Sequence, residues 1–224
     1  MVVASENILG VGLYSLEEIA LYARVSRRLA RAWFFGGRDR EATINPKIID
    51  GKFISFLDFV QVIAIREIRQ KKGVKLEKIR QLLTVADEQG ITYPFARKGI
   101  AFKWHNELGL VLPDGRLIEA SGMHRGNILL KEIVVLYKED LGYDGHGMAN
   151  QYQAFKWEDC IVEMNPKLRF GEPIVTSCGY SAQSLWEAAM DEGSVEAAAR
   201  AYGVERKEVE TACRYFDVLQ GNAA

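Results

Sequence analysis

The sequence has 224 residues, of which 48% are apolar and 26% are charged, and its formal net charge at pH 7 is −1. At this length two domains are expected rather than one. The apolar runs are far shorter than the roughly 20 residues that a membrane-spanning helix requires, so no membrane segment is predicted. The first residues lack the features of a secretory signal, and the three cysteines cannot all pair, so we expect a cytoplasmic protein.

Charge is distributed unevenly along the chain. Residues 1–98 contain 17 Lys and Arg against 11 Asp and Glu, which gives +6, whereas residues 99–224 contain 12 against 19, which gives −7. A basic segment joined to an acidic one suggests that the first binds a polyanion and the second binds something different. A chance partition of surface charge is the alternative explanation.

Four helices and one hairpin are predicted within residues 1–98. The helices begin after the capping residues Ser15, Ser26 and Ser55, and at Leu76. Glu18 stands at the capping-box position of the first helix, and the glycines at 36–37 end the second. The third is expected over 56–72 and the fourth over 76–88. Asp50-Gly51 lies between β-branched residues, a pattern typical of a tight hairpin turn.

The remainder of the chain is predicted to mix strands and helices. Strands are expected over 99–105, 108–112, 116–120, 161–163 and 174–177; helices over 127–139, 182–191, 195–202 and 206–219; and a glycine-rich loop over 141–150. We therefore expect an α+β fold that is mainly helical. Its parts would be an N-terminal DNA-binding domain at 1–98, a mixed connecting region at 99–157, and a small helical domain with two short strands at 158–224.

The second helix carries the strongest functional signal. Its periodicity predicts one buried stripe and, opposite it, one stripe of arginines. The buried stripe is Val25, Leu29, Ala32 and Trp33, and the arginine stripe is Arg24, Arg27, Arg28 and Arg31. Guanidinium groups bind phosphates and guanine edges through paired donors, which suits a helix that enters a DNA groove. The candidate DNA-binding residues are Arg24, Ser26, Arg27, Arg28, Arg31, Lys47 and Lys52. A solvated basic face is the alternative.

The motif Tyr14-Ser15-x-x-Glu18-Ile19-Ala20-x-x-x-x-Val25-Ser26-x-x-x-x-Arg31-x-Trp33 resembles the opening of the MerR-type winged helix-turn-helix superfamily. This resemblance implies that the second helix enters the major groove and that the hairpin wing contacts the DNA backbone. Arg24 occupies the turn position that is usually glycine. Because a left-handed backbone costs other residues about 1 kcal/mol or more, we expect either a looser turn or an Arg24 side chain that reaches a phosphate.

Residues 158–219 resemble a small domain of VapB-like antitoxins. The similarity lies in Ile161-Val162-Glu163-Met164-Asn165-Pro166-Lys167-x-x-x-Gly171-Glu172-Pro173-Ile174-Val175 and in the later Asp191-Glu192-Gly193-Ser194-Val195-Glu196 and Ala199-x-x-x-Gly203-Val204. The whole arrangement resembles the large two-domain VapB antitoxins of VapBC toxin–antitoxin modules. It implies operator binding for autorepression and neutralisation of a VapC-like PIN-domain ribonuclease, with Lys167 and Arg169 as candidate toxin contacts.

Dimerisation is expected because one short helix reads only about 3–4 base edges. The alternative function is a stand-alone MerR-like regulator with a C-terminal dimerisation or effector domain, and a third class is an RNA-binding or scaffold protein. The sequence predicts no catalytic residues, no metal and no cofactor, so an enzyme is not expected. The histidines His105, His124 and His146 match no metal-binding spacing, and no Cys-x-x-Cys occurs.

Overall fold

The computed structural model describes residues 8–38, 41–44, 53–105, 107–112, 117–119, 122–124, 132–133 and 138–221. Within these ranges the chain forms seven α-helices, a two-stranded pair and two five-stranded antiparallel sheets. The predicted α+β class is therefore confirmed. The expected hairpin around Asp50-Gly51, with Lys47 and Lys52, lies outside the described residues.

The N-terminal part is helical, with one short strand pair. Its elements are β1 (Gly12–Tyr14), α1 (Leu16–Tyr22), α2 (Arg27–Phe35), β2 (Ile54–Ser55), α3 (Phe56–Lys72) and α4 (Leu76–Glu88). The side chains of Ser15, Ser26 and Ser55 each accept a hydrogen bond from a backbone N–H in the first turn of the helix that follows. These caps confirm the predicted starts of α1, α2 and α3, because they satisfy donors that a helix end leaves unpaired.

The first five-stranded sheet has the order β6-β5-β4-β3-β7. Its strands are β3 (Ala101–His105), β4 (Glu107–Val111), β5 (Leu117–Glu119), β6 (Gly122–His124) and β7 (Glu132–Ile133). The helix predicted over 127–139 is wrong at β7, where Glu132 and Ile133 pair with Lys103 and Phe102 of β3. The outer edge of β3 offers backbone partners to this segment, and its β-branched residues favour a strand.

The second five-stranded sheet has the order β12-β11-β10-β9-β8. Its strands are β8 (Leu141–Tyr143), β9 (Ala149–Trp157), β10 (Cys160–Met164), β11 (Ile174–Val175) and β12 (Tyr180–Ser181). The loop predicted over 141–150 is wrong, because β8 and β9 form a hairpin there. A Cβ atom on Gly142 would lie 2.3 Å from Cγ of Gln151, so this glycine marks a close approach within the sheet.

The C-terminal part therefore contains more than the two short strands expected from the sequence. Strand β9 belongs to the predicted connecting region and β10 to the predicted C-terminal domain, yet the two form one antiparallel hairpin. The boundary drawn between residues 157 and 158 thus falls inside a continuous sheet. Helices α5 (Ala182–Asp191), α6 (Val195–Tyr202) and α7 (Arg206–Gly221) follow, and α7 packs on β9, β10 and β11.

Aromatic side chains join the N-terminal helices to the C-terminal sheet. The ring of Phe59 on α3 lies 5.6 Å from Tyr14 and 5.8 Å from Tyr152 on β9. The hydroxyl of Tyr14 donates a hydrogen bond of 2.9 Å to the carbonyl oxygen of Gly171. Burial raises the pKa of the Tyr14 phenol far above its ordinary value, so the group stays a neutral donor. The two halves of the chain share one hydrophobic core.

Gly171 is the position where this contact is most sensitive to substitution. Its φ is +84°, and a Cβ atom there would lie 2.1 Å from the Tyr14 hydroxyl oxygen. We expect Gly171→Ala to lower the free energy of unfolding by about 2–4 kcal/mol, because left-handed strain adds to a steric clash in the core. Urea unfolding followed by circular dichroism measures this change.

Gly179→Ala is the matched control, since Gly179 has a φ of +73° and no atom within 4 Å of the added Cβ. It should cost only the backbone strain of about 1 kcal/mol. In a Tyr14→Phe background the penalty of Gly171→Ala should be smaller, because the hydroxyl that clashes is gone. Equal costs at the two glycines would contradict the proposed clash.

Candidate nucleic-acid interface

A tight turn made of Ala23, Arg24 and Val25 joins α1 to α2. The N–H of Arg24 donates to the carbonyl of Leu21 at 3.0 Å, and the N–H of Val25 donates to the carbonyl of Ala20 at 2.9 Å. This pair of bonds is the Schellman pattern that ends many helices, and it places Arg24 at the position where glycine is usual. Arg24 has a φ of +53°. The looser turn considered from the sequence is therefore wrong.

The Arg24 side chain is directed toward the protein itself. Its guanidinium donates a 3.3 Å hydrogen bond to the carbonyl oxygen of Ala154 on β9, and the residue is half-buried. This contact ties the turn to the C-terminal sheet. Among the candidate DNA-binding arginines, Arg24 thus differs from the other three in holding the turn in place.

Helix α2 buries a face that differs in part from the predicted stripe. Ala30, Trp33 and Phe34 are buried, whereas Leu29 is half-buried and Ala32 is exposed. The prediction of a buried Ala32 is wrong, because the core contacts α2 on the side of Ala30 and Phe34. The carbonyl of Trp33 accepts hydrogen bonds from the backbone N–H groups of residues 43 and 44, which fixes the far end of the helix.

The opposite face of α2 presents arginines to solvent. The Arg27 side chain is 69% exposed and forms an ion pair with the similarly exposed Glu17 on α1. Arg28 and Arg31 are exposed, and no carboxylate of the described residues pairs with either. The Arg31 guanidinium carbon lies 5.7 Å from the centroid of the Phe35 ring, which is itself 48% exposed. Arg28 and Arg31 are therefore the cations of this face that no carboxylate of the described residues neutralises.

Ser26 completes this surface at the first turn of α2. Its hydroxyl oxygen accepts the N–H of Leu29 at 3.2 Å, and its side chain is exposed. A helix start with free N–H groups attracts anions, and three nearby guanidinium groups strengthen that attraction. Phe35 was missed by the sequence analysis. Its spacing of four residues after Arg31 places it on the same helical face and could have identified it.

The loop between β10 and β11 contains the two candidate toxin contacts, Lys167 and Arg169. The side-chain oxygen of Asn165 accepts the N–H of Lys167 at 3.0 Å, and Gly171 is held by Tyr14 as described above. Between these anchors Arg169 and Phe170 both adopt left-handed backbone conformations, with φ values of +44° and +56°.

This loop projects apolar as well as basic side chains. Phe170 is 76% exposed and Leu168 is 45% exposed. The two cations of the loop were predicted from the sequence, and these two neighbours were not. Large apolar side chains are exposed on many proteins, but an exposed aromatic ring next to an arginine is a combination enriched in protein–protein interfaces.

The first turn of α7 contrasts with that of α2. Arg206 pairs with Glu196 at 2.8 Å, and the Lys207 amine lies 2.9 Å from Asp159 and 3.2 Å from Glu205. These cations are already matched by carboxylates, and Asp159 in turn raises the pKa of Lys207 above its ordinary value. The arrangement offers little free positive charge to a nucleic acid.

Comparison with solved structures supports the fold. The X-ray crystal structure of Rv2018 from Mycobacterium tuberculosis is similar to this chain, with a TM-score of 0.64 and 16% identity over 90% of this chain and 97% of that one. At this identity the similarity concerns the fold alone. No family model matches the sequence, and no curated protein matches it. Within the described ranges no helix is long and apolar enough to cross a bilayer.

The two roles of Arg24 can be separated by substitution. Arg24→Ala loses the bond to Ala154 and keeps the left-handed strain, whereas Arg24→Gly loses the same bond and relieves the strain. We expect Arg24→Gly to be more stable than Arg24→Ala by about 1 kcal/mol in urea unfolding. Equal stabilities of the two variants would mean that the turn relaxes when the side chain is removed.

Proposed function

We propose that this protein is a DNA-binding antitoxin that represses its own operon and neutralises a PIN-domain ribonuclease. The observation that carries the DNA-binding part is the exposed arginine face of α2, formed by Arg27, Arg28 and Arg31 after a tight turn. These cations are neither buried in the core nor, for Arg28 and Arg31, matched by carboxylates among the described residues.

The geometry of α2 suits the major groove of double-stranded DNA. The helix is nine residues long, is buried on one side and is basic on the other. B-DNA has a major groove that admits one helix, in which arginine donates two hydrogen bonds to guanine or binds the flanking phosphates. In this proposal α1, the turn and α2 form a helix-turn-helix, and Lys47 and Lys52, which lie outside the described residues, are further candidate contacts to the DNA backbone.

An operator that is read with useful specificity requires two such helices. One helix contacts only about 3–4 base pairs, so the protein would bind as a homodimer to two half-sites. The opposite charges of the two parts of the chain, +6 and −7, fit a division in which the basic part holds DNA and the acidic part does not.

The antitoxin part of the proposal is supported by the resemblance of residues 158–219 and by the loop between β10 and β11. Arg169 and Phe170 would supply a basic and an aromatic contact to the ribonuclease, with Lys167 beside them. Residues that dominate the binding energy at protein interfaces are enriched in arginine and in large aromatic side chains such as Trp and Tyr, and this loop presents an arginine beside an exposed aromatic ring. A stand-alone regulator would have the same DNA surface but no toxin partner. Binding of a PIN-domain ribonuclease therefore distinguishes an antitoxin from a stand-alone regulator.

The first test concerns DNA. A double variant, Arg28→Ala with Arg31→Ala, should weaken binding to a duplex taken from immediately upstream of the gene by at least about 30-fold, because each guanidinium contact contributes about 1–3 kcal/mol. Its thermal melt should stay within about 2 °C of the wild type, since both side chains are exposed. Fluorescence anisotropy measures the binding.

The control is a double variant of exposed arginines on the acidic part, Arg200→Ala with Arg206→Ala, which should bind the duplex like the wild type. Wild-type affinity should also fall steeply as salt concentration rises, because phosphate contacts release counterions. The DNA part of the proposal fails if both double variants lose affinity equally, or if single-stranded RNA of the same sequence binds more tightly than the duplex.

The second test concerns the ribonuclease. The tagged wild-type protein should co-purify a PIN-domain protein from its source cells, identified by mass spectrometry. Phe170→Asp should reduce that capture by at least about tenfold, because it places a carboxylate where an aromatic contact is proposed. Met190→Asp is the control, since Met190 is 68% exposed and lies on α5. If Phe170→Asp captures as much ribonuclease as the wild type, the loop does not contact the ribonuclease and this part of the proposal is wrong.

A further inference from the structure

A groove of about 420 Å³ lies between α2 and α3, along the flank of α2 next to Leu29. Its apolar part consists of Val25, Leu29 and Trp33. The other residues that line it are Arg24, Ser26, Arg66, Arg69 and Gln70. The groove is large enough to hold a small organic molecule. Arg27, Arg28 and Arg31 do not line it, whereas Arg24 and Ser26, two of the candidate DNA-binding residues, do.

The charge of the lining is entirely positive. Three arginines line the groove and no carboxylate does. Arg66 is fixed by a 2.9 Å hydrogen bond to the carbonyl of Ala23, and Arg24 by its bond to the sheet. Each guanidinium carries five N–H donors, so both retain donors beyond these bonds. Because these side chains are already held in place, a ligand that binds them loses less free energy to side-chain ordering.

Two carboxylates near these arginines lie outside the groove. Glu67 lies 3.9 Å from the Arg66 guanidinium, and Asp140 interacts electrostatically with Tyr152, as Arg24 and Arg66 do. Neither acid lines the cavity. Arg69 is exposed at the groove, and no carboxylate of the described residues pairs with it. The groove therefore keeps a net positive charge.

We propose that this groove binds a small organic anion with an apolar or aromatic body. The body would lie against Leu29, which is half-buried, whereas Val25 and Trp33 are almost fully buried at the floor of the groove. The carboxylate or sulfonate of the ligand would bind Arg66 and Arg69. A DNA backbone is a poorer fit, because its deoxyribose offers less apolar surface than an aromatic ring to cover Leu29. The proposed site does not depend on the toxin partner, and it adjoins the proposed DNA surface because Arg24 and Ser26 line it.

The test uses naphthalene-1-acetate as the probe and naphthalene-1-acetamide as its neutral counterpart, each titrated by calorimetry into the full chain. The acetate should bind with one-to-one stoichiometry and at least about tenfold more tightly than the amide, because charge-assisted hydrogen bonds are the stronger kind. Arg69→Glu should weaken acetate binding by at least about tenfold, since it places a carboxylate at the anion site. Leu29→Trp should weaken both probes by filling the groove.

Arg200→Glu on α6 is the matched control, an exposed charge reversal remote in sequence, and it should leave acetate binding within about twofold of the wild type. Equal binding of acetate and amide would overturn the proposal, as would acetate binding that Arg69→Glu does not change or an absence of saturable acetate binding. If Arg69→Glu weakens duplex DNA binding while the wild type binds no acetate, the groove holds a nucleic-acid phosphate instead, which also overturns it.

Discussion

The packing of the N-terminal helices against the C-terminal sheet is the constraint on which the rest of this structure depends. Tyr14 and Phe59 enter one core with Tyr152, and the Tyr14 hydroxyl satisfies the carbonyl of Gly171. A buried hydroxyl needs such a partner, because leaving it unpaired costs about as much free energy as a hydrogen bond contributes. The basic and acidic parts of the chain are therefore held together by a shared core as well as by the covalent chain.

This shared core changes how the basic helix is positioned. In an independent domain the turn between α1 and α2 would be held only by its own hydrogen bonds. Here the guanidinium of Arg24 also bonds to Ala154 on β9, and Arg66 on α3 bonds to the carbonyl of Ala23 in the same turn. Two arginines thus fix the orientation of α2 from the protein side, and Arg27, Arg28 and Arg31 remain on the solvent side. Some of these arginines hold the turn in place and others face solvent, and their spacing in the sequence does not distinguish the two roles.

Local chemistry made the helices predictable, and long-range packing made the sheets hard to predict. Ser55 at the start of α3 and Gly73 at its end are signals within the helix itself, and the expected range of 56–72 agrees with the structure. Strand β9 was not predicted, because a bulge opposite Val162–Glu163 breaks the alternation that reveals a strand. The exposure of Ala32 depends on which neighbours surround α2, so the arginine face was predictable and the exact buried face was not.

Arg24, Arg169 and Phe170 all adopt left-handed backbone conformations, but the strain at Arg24 and the strain at the other two residues have different causes. Such a conformation costs about 1–3 kcal/mol and persists only where something compensates for it. At Arg24 the compensation is visible, since the side chain bonds to β9 and the backbone completes the helix end. Arg169 and Phe170 are consecutive, and the hydrogen bonds that their backbone groups make are ones that a glycine would make equally well, while the Phe170 ring remains 76% exposed. Within the described residues no hydrogen bond or ion pair of either side chain offsets the strain, which supports the proposal that this loop, rather than the first turn of α7, contacts a partner protein.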